Sequence, residues 1–127
     1  MEGENGESRL DTSQEVQTVD LNHALQRVDG SKDALQELVQ IFSADECPQL
    51  MRCIRDALVK QDAAVLERSA HTLKSSADLF GAKRAFEAAR TLERLASESD
   101  FQGAARSWIT LEQELASVLA ALAKLET

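Results

Sequence analysis

The sequence predicts an all-α protein, an antiparallel up-down four-helix bundle with a short additional helix on its N-terminal side. Alanine and leucine dominate the apolar residues, and the 127-residue chain has one proline, five glycines and no tyrosine, a composition that favours helix over sheet. Apolar residues recur at helical spacing in successive segments. Short polar turns separate those segments, as is typical of antiparallel neighbours in a bundle.

Length and charge indicate one acidic domain. Of the formal net charge of −8, residues 1–20 contribute −5, from six acids and one arginine, and the remainder contributes −3. We expect residues 1–18 to form an acidic flexible tail or linker and residues 19–126 to form the bundle. Nucleic acid and anionic membrane surfaces require clustered Lys and Arg, so both are disfavoured as partners.

Cys47 and Cys53 lie six residues apart in a predicted helix, so they do not share a helix face. No long apolar run precedes them, and neither has a histidine at metal-ligand spacing. We interpret both as small apolar or surface side chains of a cytoplasmic protein that has no membrane insertion and binds no metal of its own.

The first half of the chain predicts a short helix and then a long one. Asp20 is the expected N-cap of the short helix, 21–28. The apolar pattern that follows keeps its phase across Pro48. Either one helix continues with a kink there, or it ends near Ser43 and a second begins with Asp45 as its cap. The preserved phase favours one kinked helix.

The second half predicts three further helices. The first, 63–80, begins after the N-cap Asp62 and ends at Gly81, which can adopt the left-handed conformation. The next spans 83–97, and the last extends to about residue 124.

The start and the apolar face of the last helix each suggest a specific structure. Ser99 and Gln102 are spaced as a capping box. The apolar positions from Trp108 onward are heptad-like, and read alone they are compatible with a coiled coil. Among helices of similar length, they more often pack within one bundle, so we expect a monomer.

His71 lies on the polar side of the 63–80 helix. On a helical wheel, its side chain points about 140° away from the apolar stripe, beside Glu67, Lys74, Ser75 and Asp78. A lone exposed histidine usually has no function. The sequence around it changes this interpretation.

The stretch His71-Thr72-Leu73-Lys74-Ser75-Ser76-Ala77, followed by Phe80-Gly81-Ala82, resembles the signature of the histidine-containing phosphotransfer (HPt) domain. Similarity to the family extends over about residues 19–125. The resemblance implies a phosphocarrier that relays a phosphoryl group between receiver-domain aspartates. Its partners would be response-regulator receiver domains and a hybrid sensor kinase, and the receiver would supply Mg²⁺. Because the chain has no glycine-rich nucleotide loop, we expect no kinase activity of its own.

The resemblance also assigns roles to individual residues. His71 would accept the phosphoryl group, and Lys74 would offer positive charge to its oxygens. Ser75 stands where the family usually has glycine, so it could crowd the site, form a hydrogen bond to the phosphoryl group, or simply favour the helix. This departure leaves open an alternative function, an HPt-like interaction module that binds a receiver or kinase without carrying phosphate.

The resemblance further implies that a receiver docks over the histidine, with contacts from the histidine helix and from the first two helices. The candidates are Glu67, Asp78, Leu38 and Ala24. His23, the other histidine, is interpreted as an ordinary surface or rim residue.

Overall fold

A computed structural model describes residues 18–126, and every regular element in that range is helical. Expectations for residues 1–17 lie outside the described part. The α-helices are α1 (Leu21–Arg27), α2 (Lys32–Ile41), α3 (Cys47–Lys60), α4 (Ala63–Leu79), α5 (Lys83–Ser97) and α6 (Phe101–Ala123), and a 3₁₀ turn, Lys124–Glu126, follows α6. The predicted all-α class is confirmed.

One apolar core joins the helices. Helix α4 packs most extensively on α5, α5 packs on α6, and α3 packs on both α4 and α6. The largest fully buried side chains include Leu66 and Leu73 of α4 and Leu111 and Leu115 of α6. Burying each leucine stabilises the fold by about 1.5 to 3 kcal/mol. Within residues 18–126, no helix is both long enough and apolar enough to span a membrane.

Helices α2 and α3 are continuous through a π-helical turn, Phe42–Glu46. The backbone stays right-handed there, and the amide of Cys47 donates to the carbonyl of Phe42, five residues back. Pro48 closely follows this turn and has no amide hydrogen, so it donates no hydrogen bond to the preceding turn of the continuous helix. One continuous helix is thus confirmed, and a change of helical winding accommodates the proline.

The ends of α4 follow the sequence prediction. Asp62 caps its N-terminus by accepting from the Val65 amide at 3.2 Å. At its C-terminus, Gly81 has φ +64°. A Cβ atom at Gly81 would lie 2.5 Å from Cβ of Asp20, so glycine is required by the conformation and by the close approach of the chain entering α1.

The predicted capping box at the start of α6 is wrong. Ser99 has φ +56°, so it belongs to the turn that precedes the helix. Asp100 is the N-cap, and its side chain accepts from the amide of Gly103 at 2.9 Å. The Asp100 carboxylate accepts from the third amide of the helix, as the predicted serine cap would, but the helix begins one residue later than predicted.

Both cysteines are free thiols. Cys47 is fully buried, whereas Cys53 is half-buried. Burial and, to a smaller extent, the nearby Glu46 carboxylate together raise the pKa of the Cys47 thiol to about 11. Cys47 therefore stays protonated at neutral pH and packs as a small apolar side chain.

Candidate functional site

The candidate site lies on the polar face of α4, because the opposite, apolar face packs in the core. Leu66, Ala70, Leu73 and Ala77 are all buried. His71 points away from them, and its side chain is 58% exposed. A molecule approaching from solvent can therefore reach the imidazole ring.

A carboxylate on the neighbouring helix is bonded to both His71 and Lys74 of α4. Glu93 of α5 lies 2.8 Å from Nδ1 of His71 through Oε2. Its other oxygen, Oε1, lies 2.8 Å from Nζ of Lys74. The Glu93 and Lys74 side chains are only 20% and 23% exposed, so this ion pair is better shielded from water than an ordinary surface pair.

The ionisation state of Glu93 determines which nitrogen of the His71 ring carries the hydrogen. Burial alone raises the pKa of the Glu93 carboxyl, but hydrogen bonds from Lys74 and His71, with the attraction of their charges, outweigh burial and lower the pKa. Glu93 is therefore ionised at neutral pH and can only accept hydrogen bonds. Nδ1 of His71 must carry a hydrogen, which leaves Nε2 of the neutral ring with a free lone pair.

Comparison with known proteins assigns this helical chain to a family. A family model described as Hpt domain matches residues 37–124, a range that contains His71, Lys74 and Glu93. The chain belongs to the Hpt domain family. Neither the curated proteins nor the solved structures provide a significant match to it. Membership implies histidine phosphotransfer in a phosphorelay, as a phosphocarrier rather than a kinase, with receiver domains and kinases as interacting partners.

Within this Hpt domain, the other residues predicted on the face of α4 have different surroundings. Ser75 is exposed one turn after His71, and Glu67 is half-buried one turn before it. Asp78 lies seven residues after His71. Its carboxylate accepts from Nη1 of Arg27 at 3.1 Å, so it is tied to α1.

The residues expected to contribute from the first two helices differ in exposure. Leu38 of α2 is half-buried and packs against the core. Ala24 of α1 has 0% exposure, so the expectation that it contacts a partner is wrong. The inner face of α1 is covered because the helix packs on α4.

His23 is more than the surface or rim residue expected from the sequence. Its Nε2 lies 2.9 Å from the backbone carbonyl of Asp78. A carbonyl only accepts, so Nε2 donates and the ring helps to hold α1 on the end of α4.

Glu93 is the residue of this candidate site that is not predicted from the sequence. It lies between Arg90 and Arg94 on a helix whose polar face is otherwise typical of solvent exposure. The signal that could have found it is the hairpin geometry. His71 lies ten residues before Gly81 and Glu93 lies twelve after it, so an antiparallel α4–α5 pair brings them to the same level.

Proposed function

We propose that this Hpt domain relays a phosphoryl group between the aspartates of receiver domains, and that His71 is the phosphoacceptor. The observation that carries the proposal is the exposed His71 ring, held at Nδ1 by the ionised Glu93 carboxylate. The partners would be response-regulator receiver domains and a hybrid sensor kinase. The architecture that we propose is an antiparallel four-helix bundle of α2/α3, α4, α5 and α6, with α1 as the additional short helix.

In the proposed reaction, Nε2 of neutral His71 attacks the phosphorus of a receiver aspartyl phosphate. The N–P bond forms, the P–O bond to the aspartate breaks, and the aspartate leaves as a carboxylate. Nδ1 keeps its proton, so the ring becomes positively charged when it carries the phosphoryl group. The Glu93 carboxylate then faces a cationic ring, an interaction stronger than in the unphosphorylated state. Transfer to a second receiver aspartate reverses these steps.

Lys74 has a supporting role in this proposal. It is bonded to Glu93, and it keeps that carboxylate ionised and oriented towards the His71 ring. When a phosphoryl group arrives, the flexible lysine can also offer charge to its oxygens. The Ser75 hydroxyl is exposed on the same face, where it can donate a hydrogen bond to the group.

The metal ion for the reaction is expected to come from the receiver domain. We expect Mg²⁺ to come from the receiver's own acidic pocket, with no cofactor held by this chain. The proposed docking surface surrounds His71 on α4 and includes Glu67 and Asp78, with Leu38 as a contribution from α2. Complementarity across such a surface affects partner choice more than it affects the chemistry.

The test is phosphoryl transfer from a receiver domain phosphorylated on its aspartate in the presence of Mg²⁺. We expect the wild-type chain to acquire a phosphate that is labile in acid and stable in base, the behaviour of a phosphoramidate bond. His71→Gln should acquire none. A label that persists in His71→Gln would place the acceptor elsewhere and contradict the proposal.

The alternative interaction module gives a different result in the same experiment. In that case the receiver would bind, as measured by titration calorimetry, but no phosphate would appear on the wild-type chain. Ser75→Gly is the matched variant, because it restores the residue usual in the family. Transfer that appears only in Ser75→Gly would favour the module for the natural chain.

A further inference from the structure

The orientation of the His71 ring determines which side of α4 the phosphoryl group occupies. Nδ1 points towards α5, where it is bonded to Glu93. In an imidazole ring, the two nitrogens direct their bonds to opposite sides. Nε2 therefore points away from α5, and away from the Lys74 amine that is bonded to the same carboxylate.

Contacts of α4 identify what lies on the Nε2 side. Ser76 donates to Oε1 of Glu46 at 2.9 Å, which places the π-helical turn and α3 on that flank of α4. Lys74 and its bond to α5 mark the opposite flank. At about 100° per residue, Arg68 lies about 60° from His71 towards the α3 flank, and Lys74 lies about 60° towards the α5 flank.

Arg68 is positioned to interact with a group on Nε2. Side chains of a helix lean towards its N-terminus, so the His71 ring extends over the preceding turn, which contains Glu67 and Arg68. Arg68 is exposed, and within residues 18–126 its guanidinium forms no hydrogen bond or ion pair. Lys74, by contrast, is already bonded to a carboxylate.

We infer that Arg68 is a phosphoryl-binding residue of this Hpt domain, which contacts the oxygens of the group carried on Nε2 of His71. The inference rests on the proposed function, since it requires His71 to be the acceptor. The planar guanidinium can donate two parallel hydrogen bonds to phosphoryl oxygens. Glu67 lies about 40° from His71 towards the α5 flank and has no partner among the described residues, so its charge repels the same group from the other side. Arg68 and Glu67 therefore have opposite effects on the stability of the phosphoryl dianion.

The experiment uses phosphoramidate as the phosphoryl donor, so that docking of a receiver does not enter. The resonance of phosphorylated His71 is identified in the ³¹P spectrum by its absence in His71→Gln. Its chemical shift is then followed as a function of pH in wild type, Arg68→Gln, Arg68→Lys and Glu67→Gln. Arg106→Gln is the matched control, because Arg106 is also an exposed, unpaired arginine but lies on α6.

A cation near the phosphoryl group favours its dianion, so Arg68→Gln should raise the pKa of that group and Glu67→Gln should lower it. Arg68→Lys should restore most of the wild-type value, and Arg106→Gln should change nothing. In transfer from a phosphorylated receiver, Arg68→Gln should be slower by about tenfold, the effect expected for one lost charge-assisted hydrogen bond. A purely structural role of Arg68 would not change the phosphoryl pKa.

Two other results would contradict the inference in different ways. If wild type becomes phosphorylated on His71 but Arg68→Gln has the same phosphoryl pKa and the same transfer rate, the role of Arg68 is refuted and the proposed function stands. If neither phosphoramidate nor any phosphorylated receiver labels wild type at His71, both are refuted.

Discussion

Two histidines of this Hpt domain lie on or against the same helix, and their hydrogen bonds differ in a way that separates the proposed chemical role of His71 from the structural role of His23. His71 is bonded through Nδ1 to a carboxylate, which leaves Nε2 free in a side chain that is 58% exposed. His23 is bonded through Nε2 to the carbonyl of Asp78, at the point where α1 meets α4. A carboxylate orients the ring of His71, the proposed acceptor, whereas the bond from His23 to a backbone carbonyl helps to hold two helices together.

The largest expected difference follows from replacing each histidine by alanine. His71→Ala should abolish labelling by a phosphorylated receiver and cost less than about 1 kcal/mol of stability, because the ring is mostly exposed and Glu93 keeps its bond to Lys74. His23→Ala should retain labelling and lose about 1 kcal/mol of stability with its hydrogen bond. Urea denaturation and the labelling assay measure the two effects. Loss of labelling in His23→Ala, with the fold intact, would show that the two roles are not separate.

The next largest effect concerns the carboxylate that distinguishes the two sites. Glu93→Gln keeps a side chain of similar size but removes the charge that faces the phosphorylated ring. We expect transfer to His71 to slow by about tenfold or more, since hydrogen bonds to charged groups contribute about 1.5 to 3 kcal/mol. Rapid-quench measurement of the transfer rate tests this. Glu87→Gln is a suitable control, because Glu87 lies on the same helix in an exposed pair with Arg90.

The same variant should also change the acid sensitivity of the fold. The pKa of Glu93 is lowered in the folded state, so its contribution to stability is present above the ordinary glutamate pKa. The contribution is lost as pH falls through the lowered value, because the unfolded chain binds the proton more readily. Wild type should therefore lose more stability than Glu93→Gln in that acidic range. Parallel losses in the two proteins would contradict the lowered pKa.

A fourth prediction tests the junction between α1 and α4 that His23 helps to hold. Gly81→Ala forces a Cβ to within 2.5 Å of Cβ of Asp20 and keeps an alanine at φ +64°, so we expect a loss of about 2 kcal/mol. Gly30 also has a positive φ, +79°, but a Cβ added there in Gly30→Ala would have no atom within 4 Å. Its loss should be about half as large. Equal losses in the two variants, measured by thermal unfolding, would show that backbone strain alone matters at Gly81.

The same comparison explains which features could be predicted from the sequence. Gly81 and the caps Asp20 and Asp62 depend on local backbone geometry, and their residue types identify them directly. His71 was found because its neighbours along the chain carry a motif. Glu93 and His23 act across helices, where periodicity gives the exposed face of each helix but not the register between helices. Ala24 was misplaced for the same reason, since the face that α1 buries depends on how it packs against α4.

The smallest effect is expected at Asp78. This residue lies on α4, as His71 does, and contacts α1, the helix that carries His23. Its ion pair with Arg27 has side chains that are 45% and 55% exposed, and exposed pairs contribute at most about 1 kcal/mol. The bond from His23 goes to the Asp78 backbone, so Asp78→Asn leaves it in place. We expect a loss below about 0.5 kcal/mol that disappears in high salt, because salt screens exposed charges.

Transfer from a single receiver should change little, whereas the ranking of several receivers can change, since Asp78 lies on the proposed docking surface. A large, salt-independent loss of stability would mean that the carboxylate, and not His23, holds α1 on α4.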